Sequence, residues 1–439
     1  MKIFITFIGL IISIHSYSQN LIQDLELKVL KAQYDSAIVV ADQILEVDSL
    51  NWQAYYYLGK SYQAKYKYFD ALDALELANV LDSGNMIIEN TLAATYDAIG
   101  KDEDAINIYY NQYLRDSTKI EPIVNLSNIF RKMHEYGSAV FYYRKASEID
   151  PQNFYYYKQQ GYCISKMNMP AIPAIYAYET AIRLNPYDLG MYQQLANLYN
   201  STRNFAKAIN VSNKGLENFK DDKQLLKIKA YAYYLNKDFD SSILVFNKLL
   251  ELGDSSSFNF KYKGFVYFEK KQFVNSINEL ETAFELDKND AEVCFYLGSA
   301  FGRSGNGKDG IYYLKESKSL LSPLPKELYN IYSEMANVYL NQGEYDLSLK
   351  YLKLAYKNKA IPILSFKMGQ LYDYYLDDKK MAIDCYEAYI SLANVPDSAE
   401  LEQGDSDKSF FVDSKILGNS KERIRLLEEE LFFEGAKKE

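Results

Sequence analysis

Ala37, Ala71, Ala105 and Ala139 stand 34 residues apart, and Ala174 and Ala208 repeat the same step. A fixed period of that length marks a helical-hairpin repeat, a unit too small to bury its own apolar face, so that neighbours must stack. A true repeat reproduces a set of columns, and this one does. Twelve residues before the alanine sits a small residue in the second to fourth units, Gly59, Ala93 and Ser127, with Gly161 and Ala196 at nearly the same offset. Leu58, Leu92, Leu126 and Leu195 precede that column, and three residues after it runs an aromatic one: Tyr62, Tyr96, Phe130, Ile164, Tyr199, Tyr233, Tyr267, Phe301, Tyr339 and Tyr372. Four and seven residues after the alanine come Leu75 and Ala78, Tyr143 and Ala146, Tyr178 and Ala181, the spacing of one helix face. Pro151 and Pro186 close two units where proline cannot extend a helix.

These residues resemble the tetratricopeptide repeat family, whose unit is two antiparallel helices with small residues at their crossing and an aromatic wedged between hairpins. The resemblance covers roughly residues 21–394 and implies an all-α, right-handed superhelical solenoid of about eleven hairpins. Their second helices are marked by Ala37, Ala71, Ala105, Ala139, Ala174, Ala208, Ser242, Ser276, Gly310, Ser348 and Ala382. The step from Gly310 to Ser348 is 38 residues and contains Pro323 and Pro325. It reads either as a joint near 320–326 between two subarrays or as a longer interhelix loop. The array occupies 19–394, and the polar, acidic stretch 395–415 reads as a flexible linker. Ile424, Leu427 and Leu431 then recur at helical spacing, so a C-terminal helix over 416–435 is expected to cap the array, or to serve as a separate partner-binding helix.

The amino terminus bears on location. Lys2 is followed by IFITFIGLIISI and then by Ser16, Tyr17 and Ser18, the architecture of a signal peptide over 1–18. Its apolar run is shorter than the ~18 residues of a membrane span. With no cysteine near the cleavage region for a lipoprotein anchor, export to the periplasm or exterior is expected. Richness in Lys, Asn, Ile and Tyr suggests a bacterial source with an AT-rich genome.

Catalytic inventory is thin. Of two histidines, His15 falls in the expected leader and His134 at an expected hairpin turn beside Tyr136. No CxxC, HExxH, GxSxG or GxxxxGK[ST] motif occurs. The cluster of Gly302, Gly305, Gly307 and Gly310 lacks the preceding strand of a phosphate loop and reads as turn glycines. Cys163, Cys294 and Cys385 are too far apart in a stacked array to pair, and read as small core residues. No enzyme activity, cofactor or metal is expected. Lys and Arg number 49 against 59 Asp and Glu, and a net charge of -10 opposes duplex binding through phosphate neutralisation.

Tyrosine is the remaining anomaly, with 43 against one tryptophan. In runs such as Tyr55-Tyr56-Tyr57 and Tyr155-Tyr156-Tyr157 the rings point about 100° apart on a helix, so some must face outward. In the family that these repeats resemble, first helices line the concave surface where ligands commonly lie. Projection of that face gives a candidate partner-binding set: Asn128, Arg131, Lys158, Tyr162, Asn197, Asn200, Lys227, Tyr231, Lys261 and Phe265. Basic groups there can hold carboxylates, amides can pair with a peptide backbone, and phenols offer rigid contact area. Lys158 is followed one turn later by Tyr162, and Asn128 preceded by Val124, so the family's lysine–asparagine carboxylate clamp is not reproduced. The expected partner is an extended peptide or protein segment. The alternative is a glycan stacked on exposed aromatics, disfavoured because Trp52 is the sole tryptophan.

Overall fold

The computed structural model describes residues 19–167, 169–321, 325–393 and 414–436. The expected leader over 1–18, residues 395–413 of the expected linker, and Pro323 lie outside them. The chain divides into two compact units, Met1–Asn204 and Phe205–Glu439. Among the described residues there is no strand.

The first unit holds α1 (19–30), α2 (Tyr34–Val47), α3 (Trp52–Ala64), α4 (Tyr68–Leu81), α5 (Met86–Ala98), α6 (Asp102–Arg115), α7 (Ile120–Lys132), α8 (Tyr136–Ile149), α9 (Phe154–Lys166), α10 (Ile172–Leu184) and α11 (Leu189–Ser201). The second holds α12 (Phe205–Asn218), α13 (Lys223–Leu235), α14 (Phe239–Glu251), α15 (Ser257–Glu269), α16 (Phe273–Leu286), α17 (Ala291–Arg303), α18 (Gly307–Leu320), α19 (Pro325–Asn341), α20 (Tyr345–Asn358), α21 (Pro362–Tyr374), α22 (Lys379–Ala393) and α23 (Ser414–Ala436). Within each unit helices pack in chain order. First helices of adjoining hairpins also touch, α3 on α5 in the first unit, and α13 on α15 and α15 on α17 in the second.

Small residues let the two helices of a hairpin cross closely. Ala37, Ala71, Ala105, Ala139 and Ala174 are wholly buried in the first unit, as are Ala208 and Ala382 in the second. Across the hairpin, a Cβ on Gly59 would lie 2.6 Å from Leu75 Cγ, and one on Gly264 2.6 Å from Leu280 Cγ, leaving room for glycine alone. Where serine replaces the alanine, its buried hydroxyl needs a partner. Ser242, Ser276 and Ser348 donate to the main-chain oxygens of Ala230, Gly264 and Ala336, each at 2.9 Å. The later repeats thus keep the small volume and add a tie across the crossing.

Turns and caps follow local chemistry. Most hairpins bend through a left-handed residue, with φ of 61° at Tyr66, 62° at His134 and 94° at Gly305. Gly305 is therefore the turn of the glycine cluster, while a Cβ on Gly302 would strike Val338 at 2.3 Å. Asn or Asp starts several of the first helices: Asn51 accepts from Ala54 N at 3.0 Å, and Asp290 Oδ1 from Glu292 N and Val293 N at 3.0 and 3.1 Å. The aromatic column stacks on the second helix, Phe130 on Tyr142 with centroids 5.6 Å apart and Tyr339 on Tyr351 at 5.4 Å.

The added length between Gly310 and Ser348 enters a helix, since α19 has 17 residues where α17 and α21 have 13. Pro325 stands at its first position, where the missing N–H costs nothing. At the other end α23 caps the last hairpin. Leu427 is wholly buried and Ile424 packs on the same cluster. Arg423 donates through Nε and Nη2 to the two oxygens of Asp373 at 2.8 and 2.7 Å.

Candidate functional site

The candidate residues project from first helices, and each unit shows its own arrangement. In the first, Asn128 and Arg131 stand on α7, Lys158 and Tyr162 on α9, and Asn197 and Asn200 on α11. Tyr143 of α8 donates to Asn128 Oδ1 at 2.7 Å, and Tyr155 of α9 donates to the same oxygen at 3.1 Å. Arg131 hydrogen-bonds the Tyr143 hydroxyl, and its Nε is buried without a partner. Burial disfavours its charge, yet the Tyr143 hydrogen bond leaves the guanidinium above the usual arginine range. The same burial pushes the Tyr143 hydroxyl up, against the pull of Arg131. Tyr162 meets Tyr136 edge-on at 6.3 Å. Asn197 is exposed, whereas Asn200 is buried.

The three lysines have carboxylate partners within the chain. Lys158 Nζ lies 2.5 Å from Asp188, Lys227 2.8 Å from Asp254, and Lys261 2.7 Å from Asp290 and 2.8 Å from Glu292. Asp188, Asp254 and Asp290 all sit at the entry to the next hairpin, so each pair ties one hairpin to its successor. Asp290 does so with Oδ2 while Oδ1 caps α17. Burial would discharge Lys261, but its two acids hold it above the usual lysine range. Arg131 differs, because the groups acting on it are Tyr143, Tyr155 and Cys163, none of them a carboxylate.

In the second unit the first helices form an aromatic wall. Tyr231 of α13 lies 4.8 Å from Tyr262 and 6.5 Å from Phe258, both on α15. Tyr262 lies 5.5 Å from Phe265, which lies 4.0 Å from Tyr296 of α17. Burial pushes the Tyr262 hydroxyl up to about 12. Phe265 is 1% exposed, so it backs the wall, whereas Tyr231, Phe258, Tyr262 and Tyr296 are only partly buried. Phe258, Tyr262, Tyr296 and the pairing aspartates were not singled out from the sequence. Their signal was there, an acid 27 to 30 residues after each lysine.

Cys163 and Cys294 are buried and Cys385 half-buried, all free, with thiols pushed up to about 11 by burial. His134 is exposed at its turn, with Nδ1 2.8 Å from Tyr136 Oη. Among the described residues no three His, Cys, Asp or Glu side chains are placed to hold a metal ion, and no helix is long and apolar enough to cross a membrane.

The tetratricopeptide repeat family matches residues 120–153, which are α7, α8 and the entry to α9. No curated protein sequence matches the chain. Among solved structures, the APC/C hetero-tetramer Cut9-Hcn1 is similar at 11% identity over 94% of this chain and 98% of that one, with a TM-score of 0.42. YrrB, described as a TPR protein with an unusual peptide-binding site, is similar at 21% identity over 43% of this chain and 95% of its own, with a TM-score of 0.37. The P58(IPK) TPR domain gives 13% identity, 83% and 98% coverage, and a TM-score of 0.35. Residues 120–153 thus match a tetratricopeptide repeat, and the same buried columns recur from Ala37 to Ala382, so the chain carries repeats of the tetratricopeptide type.

Proposed function

We propose that the chain is a non-enzymatic interaction scaffold of the bacterial cell envelope, holding an extended segment of a partner protein along the face made by its first helices. The observation that carries this reading is the partly buried wall of Tyr231, Phe258, Tyr262 and Tyr296. Such rings offer large contact area with few rotors to immobilise, the usual material of a protein-binding surface. Lys227 and Lys261 are neutralised beside it, so ring burial supplies most of the affinity there. In the first unit Arg131 and the exposed Asn197 add polar contacts. Export rests on Lys2 and the apolar run after it.

The test is crosslinking in the native host, comparing wild type with a Tyr231→Ser, Tyr262→Ser variant. A discrete protein partner lost from the variant supports the reading, and the same partner recovered from both overturns it. Retention on a glycan panel, with no protein captured, replaces it by sugar stacking on the tyrosines.

A further inference from the structure

One cavity of the second unit lies away from the rings of the aromatic wall. It is an open cleft of about 850 Å³ between the second helices α12 and α14, with α13 as its floor. Leu216 lines it over the buried Leu226 and Val245, and Leu244 stands 71% exposed on its rim. Lys220, Lys229 and Lys248 surround this aliphatic trough. Lys248 is answered by Asp221 at 2.5 Å. Lys229 has no carboxylate among the described groups acting on it. Its ammonium sits 5.8 Å from the Tyr233 ring, and burial, then Lys248, lowers its pKa. A half-buried cation in that state gains from any anion that reaches it. Glu251 also lines the cleft and narrows the cationic surface to the side held by Lys220, Lys229 and Lys248.

We propose that this cleft is a second binding site, which takes an amphipathic helix of a partner protein with leucine-type side chains on one face and Asp or Glu beside them. The flanking helices fix the shape of the occupant. The lining runs along α14 from Leu244 to Glu251, about two turns, so the cleft seats a short stretch of a third helix by its apolar stripe. The lysines fix its charge. The rims of the site are second helices, while its floor, α13, is the first helix that also carries Tyr231 of the wall.

The experiment presents the full chain with a displayed library of short helical peptides. Wild type is expected to enrich sequences with Leu and Glu or Asp one turn apart. A Lys229→Gln, Lys248→Gln variant should hold the enriched peptides about tenfold more weakly, the loss of one charge-assisted contact. Leu244→Asp, on an exposed side chain that the fold does not need, should weaken them as well. Peptides held equally by all three proteins would overturn the proposal. So would enriched sequences without acids, no enrichment at all, or displacement of the peptides by a fatty acid, which would make the cleft a lipid site.

Discussion

Gly264 shows how a single missing atom sets the geometry of a hairpin. Alanine is the better helix former by about 1 kcal/mol, yet a Cβ there meets Leu280 at 2.6 Å. Overpacking of that kind costs roughly 1–3 kcal/mol, so Gly264→Ala should lower stability despite its helix propensity, which urea unfolding measures. The three thiols give a second check. With each pushed up to about 11, none forms appreciable thiolate near pH 8, so a thiolate-selective reagent should label no cysteine until denaturant is added. The fold was legible at this scale because steric columns repeat. A crossing that admits only Gly, Ala or Ser writes the same letters every 34 residues. Arg131 was legible as a position on a face and not as the end of a chain through Tyr143 to Asn128, because Tyr143 comes from the other helix of the hairpin.

Between elements, the ion pairs decide how one hairpin sits on the next. Lys261 and Asp290 are largely screened from solvent, with the exposed Glu292 beside them, so Lys261→Glu would set three carboxylates together. The expected cost is about 3 kcal/mol, at the lower end for breaking a buried pair. A loss of binding in that variant would therefore report folding as much as contact. Acid should act on the same joints. Asp254 is opposed by burial but held below the ordinary carboxylate range by Lys227 and Ser256. Its contribution is present above the unfolded carboxyl value near 4 and is lost as pH falls through the depressed folded value. Asp254→Asn should flatten the acid limb of the stability curve. Asp373→Asn should release α23, because it leaves Arg423 facing a neutral amide in a buried site, with faster hydrogen exchange over 416–431 as the readout. None of these pairings could be read from a single repeat. They depend on the angle between neighbouring hairpins, and the lysine face pointed equally well to a ligand.

At the scale of the whole molecule, each unit carries its own clusters of buried residues, Tyr143 and Ile123 in one and Phe246 and Leu249 in the other. Stability in such arrays is a sum of local terms and nearest-neighbour terms, so damage spreads only as far as the next hairpin or two. Gly264→Ala should therefore speed amide exchange around α15 and α16 while leaving α3 to α8 protected. The cleft between α12 and α14 belongs to this scale too. First helices touch while second helices splay, and a periodic sequence gives no hint of how wide that splay becomes. The same directionality has a temporal side. Asp188, Asp254 and Asp290 each reach back to a lysine on the hairpin before them. A chain appearing amino end first thus finds the docking lysine of these three joints already in place, and there the array can be laid down in the order in which it is synthesised, each finished course receiving the next.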